Sequence, residues 1–361
     1  MTELAVSAMR MYEVMHVGRN RGASDLHVVE GGPVVFRVDG RLDRLDGWSL
    51  QGAEIDAFLR GALDDATLRR FQEHGNADGG LQQAELGPIR IHAFRDRGGM
   101  RLAIRILAPE IPALERLGLP AIVGRLAQRR SGIVLFTGPT GSGKSTAMAA
   151  LVDRINRTQE RHIVTVEDPV EYHHLSRSSM IAHCEVGIDV SSFGEALRGF
   201  MRADPDVIMI GEMRDLETMA AAITAAETGH LVLATLHSPD TATSVDRLID
   251  AFPAEQQHQV RTQLSQTLVA VIGMRLLPLK NGPGRRAAAE VLLATDAVRA
   301  LIREGKTYQL RNAISTGRAA GMQTLETHLS DLVVRGEVSL EDARRVAEHP
   351  ADVRELARST A

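Results

Sequence analysis

The first hundred residues carry the hydrophobic pattern of a small α+β domain. Apolar residues recur at helical spacing over 3–17, and a further helical stretch is predicted at about 51–74. Runs rich in β-branched and apolar residues beside glycine turns predict strands. There are four such runs: SDLHVVE (24–30), VVFRVDG (34–40), GPIRIHAFR (87–95) and MRLAIRIL (100–107). We therefore expect antiparallel strands and helices over 1–107, followed by a proline-containing linker over 108–120.

Beyond residue 130 the pattern changes, because short apolar runs alternate with helical segments. The apolar runs are GIVLFT (132–137), HIVTVE (162–167), DVIMIGE (206–212) and HLVLATLH (230–237). The helical segments are 144–156, 192–202, 215–228 and 241–250. Strands that alternate with helices predict βαβ units, in which helices cover both faces of a mostly parallel sheet. This α/β core is expected over 121–294, and a helical region over 295–361.

Composition narrows the classes of protein. A chain of 361 residues is longer than one compact domain usually needs, which fits two domains. Aromatic residues make up 3%, and 46 acidic residues outnumber 42 basic ones, so a protein that grips nucleic acid nonspecifically is disfavoured. The single cysteine, Cys184, excludes an internal disulfide framework and a zinc site of several thiolates. Apolar stretches such as 268–274 are too short to span a bilayer and no signal-peptide pattern is present, so we expect a cytoplasmic protein.

The sequence GPTGSGKST matches a P-loop, and an apolar run before it and a helical pattern after it give the context that the motif requires. Glycines let backbone N–H groups turn toward phosphate oxygens. Lys144 is expected to reach the β- and γ-phosphates of ATP, and the Ser145 hydroxyl to bind Mg²⁺. The alternative is a glycine-rich turn without nucleotide. The predicted ATP-binding residues are Gly138, Pro139, Thr140, Gly141, Ser142, Gly143, Lys144, Ser145 and Thr146.

Polar residues follow the other predicted strands. Glu167 and Asp168 end one strand, Glu212 ends the next, and His230 and His237 flank a third. Ligands of a parallel sheet bind at the carboxyl ends of its strands, which is where the P-loop also lies. One carboxylate there can orient or deprotonate an attacking water, and another can hold Mg²⁺ through its waters. The alternatives are a cap or turn for the first two acids, a surface carboxylate for Glu212, and ordinary packing for the histidines.

The residue after the third apolar run departs from a common P-loop pattern. Where an aspartate commonly follows the strand, this chain has Gly211, and the acid comes one place later, at Glu212. The departure points away from GTPases and toward RecA-like motors.

Five motifs together carry a resemblance that covers about residues 10–345. They are ASDLH (23–27), GPTGSGKST (138–146), VEDPVEY (166–172), GEMRDLET (211–218) and TAAETGHLVLATLHS (224–238). The chain resembles the retraction ATPases of type IV pili, within the secretion-ATPase superfamily. The resemblance implies an N-terminal PAS-like α+β domain, a C-terminal RecA-like P-loop core with a helical extension, and a homohexamer with nucleotide between subunits.

The resemblance also implies roles for single residues. Glu167 corresponds to the general base, Glu212 ends the Walker B motif, and His230 and His237 belong to a histidine motif. Lys144 is expected to act on the phosphates during hydrolysis. Glu212 is also expected, as a carboxylate at the end of a strand, to hold Mg²⁺ through water.

Arginines of the N-terminal domain are expected to complete the site. Arg90, Arg97 and Arg105 best match the arginine positions of the superfamily, with Arg95 as a rival for Arg97. An arginine that reaches the γ-phosphate spreads the developing negative charge and can accelerate hydrolysis about 10³–10⁵-fold. In so arginine-rich a chain, each of them is alternatively an ordinary surface residue.

Two further segments have a functional and a simpler interpretation. The sequence AVRALIRE (297–304) resembles a segment typical of the retraction ATPases, or is an ordinary amphipathic helix with Asp296 as N-cap. A second group offers zinc-type ligands, but its adjacent pairs have poor spacing, so we interpret the histidines as incidental. That group is His173, His174, His183 and Cys184. Extension ATPases of the superfamily carry a four-cysteine zinc motif, which a chain with one cysteine lacks, and this favours the retraction type.

The sequence therefore predicts a hexameric ATP-hydrolysing motor for type IV pilus retraction, peripheral at the inner face of the cytoplasmic membrane. Its expected partners are its own copies, the inner-membrane platform protein of the pilus and a paralogous retraction ATPase, with no nucleic acid. An accessory retraction ATPase is the nearest alternative. A RecA-like nucleic-acid motor and a nucleotide-binding regulatory module without turnover are alternatives of other classes.

Overall fold

The protein has a mixed α/β fold that divides into two compact units, residues 1–110 and 111–361. A computed structural model describes residues 3–38, 40–83, 85–106 and 111–354. Among these residues, no helix is both long enough and apolar enough to cross a membrane.

The first unit is built on one six-stranded antiparallel sheet, whose strand order is β3-β2-β1-β6-β5-β4. Its strands are β1 (Ala23–Val29), β2 (Pro33–Val38), β3 (Arg41–Ser49), β4 (Asn76–Gln83), β5 (Gly87–Asp96) and β6 (Gly99–Ile106). Its helices are α1 (Glu3–Asn20), α2 (Gly52–Ala62) and α3 (Asp65–His74). The strands β3 and β4 were not predicted, because one is largely charged and the other is rich in glycine and polar residues.

The position of α1 follows from its buried apolar face, and the boundary between α2 and α3 follows from a helix cap. Met11, Val14 and Met15 of α1 recur at helical spacing and are fully buried in the core of the unit. The predicted single helix at 51–74 is instead two helices. Asp64 interrupts it, because the extended backbone of this residue lets its carboxylate accept the N–H groups of Ala66 and Thr67, both at 2.9 Å.

The second unit is built on a seven-stranded sheet, whose order is β13-β12-β7-β11-β10-β8-β9. Its strands are β7 (Gly132–Thr137), β8 (His162–Glu167), β9 (Met180–Glu185), β10 (Val207–Ile210), β11 (Leu231–Leu236), β12 (Leu268–Pro278) and β13 (Arg285–Leu293). All neighbouring strands run parallel except β12 and β13. Every residue of β7 and β11 is buried, as expected for central parallel strands covered on both faces.

Helices cover both faces of this sheet. They are α4 (Ala121–Arg125), α5 (Lys144–Thr158), α6 (Phe193–Phe200), α7 (Leu216–Glu227), α8 (Thr241–Asp250), α9 (Ala254–Thr267), α10 (Asp296–Arg303), α11 (Leu310–Thr316), α12 (Leu325–Val334) and α13 (Leu340–Val346). Apolar residues of α5 pack on one face, and those of α6 and α7 pack on the other. The strands β9, β12 and β13 were not predicted from the sequence. The strand β9 is a partly exposed edge strand whose apolar run is interrupted by His183, and β12 and β13 follow each other without a helix between them.

The ends of this unit differ in detail from the sequence prediction. Residues 108–110 of the predicted linker lie outside the described residues. From Ile111 onward the segment packs on the second unit, where Leu114 is 6% exposed in the apolar core. At α10 the N-cap is Thr295, whose hydroxyl accepts the N–H of Val298, and not Asp296, which is the first helical residue. Residues 355–361 of the predicted C-terminal region lie outside the described residues.

Candidate nucleotide-binding site

The predicted P-loop connects the end of β7 to the start of α5. Gly138 has a φ of 143°, and a Cβ there would lie 2.5 Å from the carbonyl oxygen of Met274, so only glycine fits. The hydroxyl of Ser142 is buried and has no hydrogen-bond partner among the described residues. Free N–H groups in the first turn of α5 add the positive end of the helix dipole. The loop therefore forms a cradle with unmet hydrogen-bonding capacity, as an anion site requires.

Lys144 lies at the base of this cradle and is 6% exposed. Its Nζ donates to the carbonyl oxygens of Gly138 at 2.9 Å and Pro139 at 3.0 Å. Burial lowers the pKa of Lys144, and the negative charges of Glu212 and Glu171 oppose that shift. The ammonium is thus held over the loop, with acidic residues nearby.

A hydrogen bond joins the P-loop helix to the segment after β8. Thr146 Oγ1 lies 2.9 Å from the hydroxyl oxygen of Tyr172, and burial raises the pKa of that tyrosine. Since Tyr172 belongs to the VEDPVEY motif, two motifs that are far apart in sequence are fixed against each other.

Glu167 is the buried acid of the site, at 3% exposure. Its Oε2 accepts the N–H of Glu171 at 3.2 Å, whereas its Oε1 is buried without a partner among the described residues. Burial raises the pKa of Glu167 to about 7, and the carboxylates of Glu171 and Glu185 add to the shift. A carboxyl that exchanges its proton near pH 7 is suited to act as a general base. Its neighbour Asp168 lies in the bend after the end of β8 and is exposed.

Gly211 explains how the ends of β8 and β10 approach so closely. A Cβ at this position would lie 3.2 Å from Cα and 3.4 Å from Cγ of Glu167. The N–H of Gly211 donates to the carbonyl of Val166 at 2.8 Å, and its own carbonyl accepts the hydroxyl of Thr235. The glycine found where an aspartate commonly follows the strand therefore has a steric reason, since a side chain at this position would press on Glu167.

Glu212 contacts one arginine and one histidine. Its carboxylate pairs with Arg214 at 2.7 Å and with Nε2 of His237 at 3.3 Å. Burial lowers the pKa of His237, and the nearby charge of Lys144 lowers it further while Glu212 opposes both. The structure thus brings Lys144, Glu212 and His237 together at the carboxyl edge of the sheet. Arg214 was missed in the sequence, although it stands two residues after the acid.

His230 is not part of this group within one chain. It precedes β11, whereas His237 follows that strand, so about seven residues of extended chain, or roughly 20 Å, separate them. Its Nδ1 lies 2.8 Å from the carbonyl oxygen of Ala225 and 3.1 Å from the hydroxyl of Thr228. A catalytic role for His230 therefore remains a prediction.

The predicted arginines lie on β5 and β6 of the first unit, whereas the P-loop lies in the second. Arg90 and Arg105 are direct cross-strand partners, and Arg105 pairs with Asp25 of the ASDLH motif at 2.8 Å. Arg97 is exposed in the turn between the strands and forms no ion pair among the described residues. The guanidinium of Arg95 lies 5.1 Å from the ring centre of Phe71. Their action on a nucleotide remains a prediction.

Comparison with known proteins places the chain among secretion motors. Residues 8–355 match the family of type II/IV secretion system proteins. The chain belongs to this family. It is 42% identical, over 95% of its length and 99% of the relative, to the type IV pilus retraction ATPase PilT of Pseudomonas aeruginosa. It is 37% identical to the type IV pilus ATPase PilU of the same species, over 96% of the chain and 91% of the relative.

A solved structure of the family agrees with the fold. The crystal structure of the pilus retraction motor PilT with bound ADP superposes with a TM-score of 0.84 at 40% identity. The match covers 94% of this chain and 97% of that one. This similarity covers both units of the chain.

Proposed function

We propose that this protein is an ATP-hydrolysing motor that drives type IV pilus retraction, and with it pilin depolymerisation and twitching motility. The buried Glu167 carries the enzymatic part, since it combines a free buried oxygen with a pKa raised to about 7 on the sheet edge that bears the P-loop. The similarity to PilT over nearly the whole chain supports the pilus role.

The residues of the site divide the work of hydrolysis. Gly138 to Thr146 bind the phosphates of ATP, with Lys144 on the β- and γ-phosphates. Glu167 accepts the proton of the attacking water. The Ser145 hydroxyl and the Glu212 carboxylate are hard oxygen ligands that fit Mg²⁺, which when bound neutralises phosphate charge. His237 and Arg214 orient Glu212.

The proposal extends to the assembly of the subunits. In the proposed assembly a PAS-like first unit and a RecA-like second unit form a homohexamer, and arginines from the first unit complete nucleotide sites. Arg97 is the first candidate because it is exposed and forms no ion pair among the described residues. Arg90, which is half-buried, and Arg105, which pairs with Asp25, are the next. His230 has no role in the site of its own chain in this scheme.

A mixture of two variant chains tests whether Arg97 acts on the nucleotide site of a neighbouring subunit. Arg97→Ala and Lys144→Ala chains are each expected to be inactive alone, yet a mixture creates some interfaces with an intact P-loop and an intact arginine. Partial recovery of ATP hydrolysis supports action between subunits. No recovery in a mixture shown to co-assemble excludes Arg97, and full activity of a monomer contradicts the hexameric scheme.

The proposed place of action is the cytoplasmic face of the inner membrane, at the platform protein of the pilus. A deletion strain distinguishes the roles. Excess surface pili without twitching support retraction, whereas cells without pili indicate extension. The similarity to PilU makes an accessory retraction ATPase the second candidate. Restoration of twitching by the Lys144→Ala chain would favour that accessory role, and hydrolysis stimulated by DNA would favour a nucleic-acid motor.

A further inference from the structure

The segment that carries His237 is held by its own backbone carbonyl groups. Residues 237–240, the histidine segment, lie between β11 and α8 and belong to neither element. Three successive carbonyl oxygens of this segment each accept a hydrogen bond from a side chain of a different element. The pairs are His237 with Nη1 of Arg247 in α8 at 2.5 Å, Ser238 with Oγ1 of Thr137 in β7 at 3.1 Å, and Pro239 with Nη2 of Arg275 in β12 at 2.6 Å. Carbonyl groups outside helices and strands need such partners when they are buried, and two of these donors lie beside the P-loop.

Arg275 lies beside the P-loop because β12 extends beyond the end of β7. The register between these parallel strands ends with Gly273 opposite Thr137, the last residue of β7, whereas β12 continues past this point. Met274 and Arg275 therefore lie alongside the loop. The carbonyl oxygen of Met274 is the atom that leaves no room for a Cβ at Gly138, and Nη1 of Arg275 donates to that same oxygen at 3.0 Å.

A single guanidinium therefore joins the P-loop to the histidine segment. Its Nη1 holds the carbonyl group of Met274 and its Nη2 holds that of Pro239. The planar fork of an arginine can serve two such acceptors at once in a fixed geometry. Thr137 forms a second link, since it directly precedes the P-loop and donates to Ser238. Both links reach the chain within two residues of His237.

The charge of Arg275 has no acidic partner to explain it. The residue is half-buried and forms no ion pair within the part of the chain that the structure describes. Burial is the main cause of the lowered pKa of Lys144, and the positive charge of Arg275 lowers that pKa further. A positive charge near a lysine is unfavourable by itself, but hydrogen bonds from a charged donor are stronger than those from a neutral one. The guanidinium therefore holds two carbonyl groups and neutralises no acid.

The held segment fixes the place of the imidazole. Nε2 of His237 lies 3.3 Å from the carboxylate of Glu212, and His237 directly precedes the two carbonyl groups that Thr137 and Arg275 hold. A displacement of the segment by about 1 Å would take this contact beyond hydrogen-bond range. The contact between the imidazole and the acid therefore depends on the links to the P-loop.

We propose that Arg275 is a positioning residue for ATP hydrolysis, which together with Thr137 ties the histidine segment to the P-loop and so keeps His237 on Glu212. The inference rests on the proposed function, in which His237 orients Glu212. Because the two segments are joined, they move together when the P-loop binds phosphates. Arg275 acts through His237 and not on the phosphates.

Measurement of kcat apart from nucleotide affinity tests this role. Arg275→Lys keeps the positive charge near Lys144 but lacks the fork that holds two carbonyl groups. We expect kcat for ATP hydrolysis to fall about tenfold, the effect of one charge-assisted hydrogen bond, while the Kd of a fluorescent nucleotide is unchanged. Thr137→Val removes one neutral hydrogen bond and should lower kcat about threefold, again with an unchanged Kd.

Arg161→Lys is the matched control. Arg161 is also half-buried and also donates to a backbone carbonyl group, that of Arg129 at 2.8 Å, but it precedes β8 at the opposite edge of the sheet. Its substitution should leave kcat unchanged. Melting temperatures of all variants separate a loss of folded protein from a loss of turnover.

A double-mutant cycle shows whether Arg275 acts through His237. His237→Ala should lower kcat by itself, and Arg275→Lys added to it should lower kcat no further. Thr137→Val in the same two backgrounds gives a second cycle, which decides the matter if Arg275→Lys does not fold.

The opposite results overturn the proposal. These are an unchanged kcat in folded Arg275→Lys, effects that multiply in the double variant, or an unchanged kcat in His237→Ala. A weakened nucleotide affinity with an intact kcat in Arg275→Lys also overturns it, because the guanidinium would then act on the nucleotide itself. Full hydrolysis by Glu167→Gln would instead overturn the proposed function, which keeps the two failures apart.

Discussion

Glu167 and Glu212 follow adjacent strands at one edge of the same sheet, yet their surroundings are opposite. Glu167 is buried beside two other carboxylates, with one of its oxygens unpartnered, and burial raises its pKa to about 7. Glu212 is paired with Arg214 and His237 and lies near enough to Lys144 to oppose the fall of its pKa. Two carboxylates in different environments are suited to different tasks, the first to exchange a proton and the second to pair with cations.

Removal of the buried carboxylate should have the largest effect. Glu167→Gln keeps the shape of the side chain but cannot accept a proton, so we expect kcat for ATP hydrolysis to fall about 10²–10⁴-fold while nucleotide binding persists. Asp168→Asn is the matched control, because this acid is adjacent and exposed, and it should change kcat little. Phosphate release and binding of a fluorescent nucleotide measure the two properties. Normal turnover by Glu167→Gln would show that another group is the base.

The same substitution should change how stability depends on pH. The pKa of Glu167 is about 7 in the folded chain and about 4.3 in an unfolded one, so folding favours the protonated form. Stability is therefore lost as pH rises from below 4 through 7, by about 4 kcal/mol in total. Glu167→Gln removes this loss, so its melting temperature relative to the unsubstituted chain should increase between pH 5 and pH 8. A constant difference would mean that Glu167 is ionised in the folded protein at both values.

Removal of the charge of Glu212 should raise the concentration of Mg²⁺ that hydrolysis requires. Glu212→Gln loses the ion pair with Arg214, weakens the contact with His237 and removes a charged ligand proposed for Mg²⁺. The Mg²⁺ concentration for half-maximal hydrolysis should rise about tenfold, the effect of a charge-assisted hydrogen bond. Glu217→Gln, at an exposed acid of α7 that pairs with Arg198, is the control. An unchanged Mg²⁺ requirement would show that Glu212 is not a ligand of Mg²⁺.

The residues at this edge of the sheet could be predicted from the sequence, because ligands generally bind at the carboxyl ends of parallel strands. Glu167, Glu212 and His237 each follow an apolar run, and the carboxyl ends of such strands meet beside a P-loop. By the same rule His230 lies at the opposite edge of the sheet, because it precedes β11. The pattern of apolar runs also predicted four of the five central parallel strands, but not β12, which follows a helix without a polar interruption.

What the sequence did not reveal depends on contacts between distant residues. His183 is aligned with Thr165 only because β9 adds to the edge of the sheet, and the apolar run of β9, which His183 interrupts, is too short to indicate a strand. Gly211 was visible as a departure, but its meaning depends on the distance to Glu167. Arg214 could have been singled out as a cation two residues after an acid, a signal too common in an arginine-rich chain to stand alone.

The smallest effect on hydrolysis is expected from a substitution at Gly211. This glycine contacts Glu167 and directly precedes Glu212, so a methyl group here tests which of the two acids it disturbs. In Gly211→Ala the new methyl group would lie 3.2 Å from Cα of Glu167, so β8 and β10 must separate by a few tenths of an ångström. We expect a loss of about 1–2 kcal/mol of stability and a fall in kcat with an unchanged Mg²⁺ requirement. Gly199→Ala is the matched control, since a Cβ at this position in α6 has nothing within 4 Å, and it should stabilise by about 0.5–1 kcal/mol. Thermal unfolding and Mg²⁺ titration of hydrolysis measure both variants. If Gly211→Ala instead raised the Mg²⁺ requirement and left kcat at saturating Mg²⁺ intact, the methyl group would act on Glu212, and the close approach to Glu167 would have no part in catalysis.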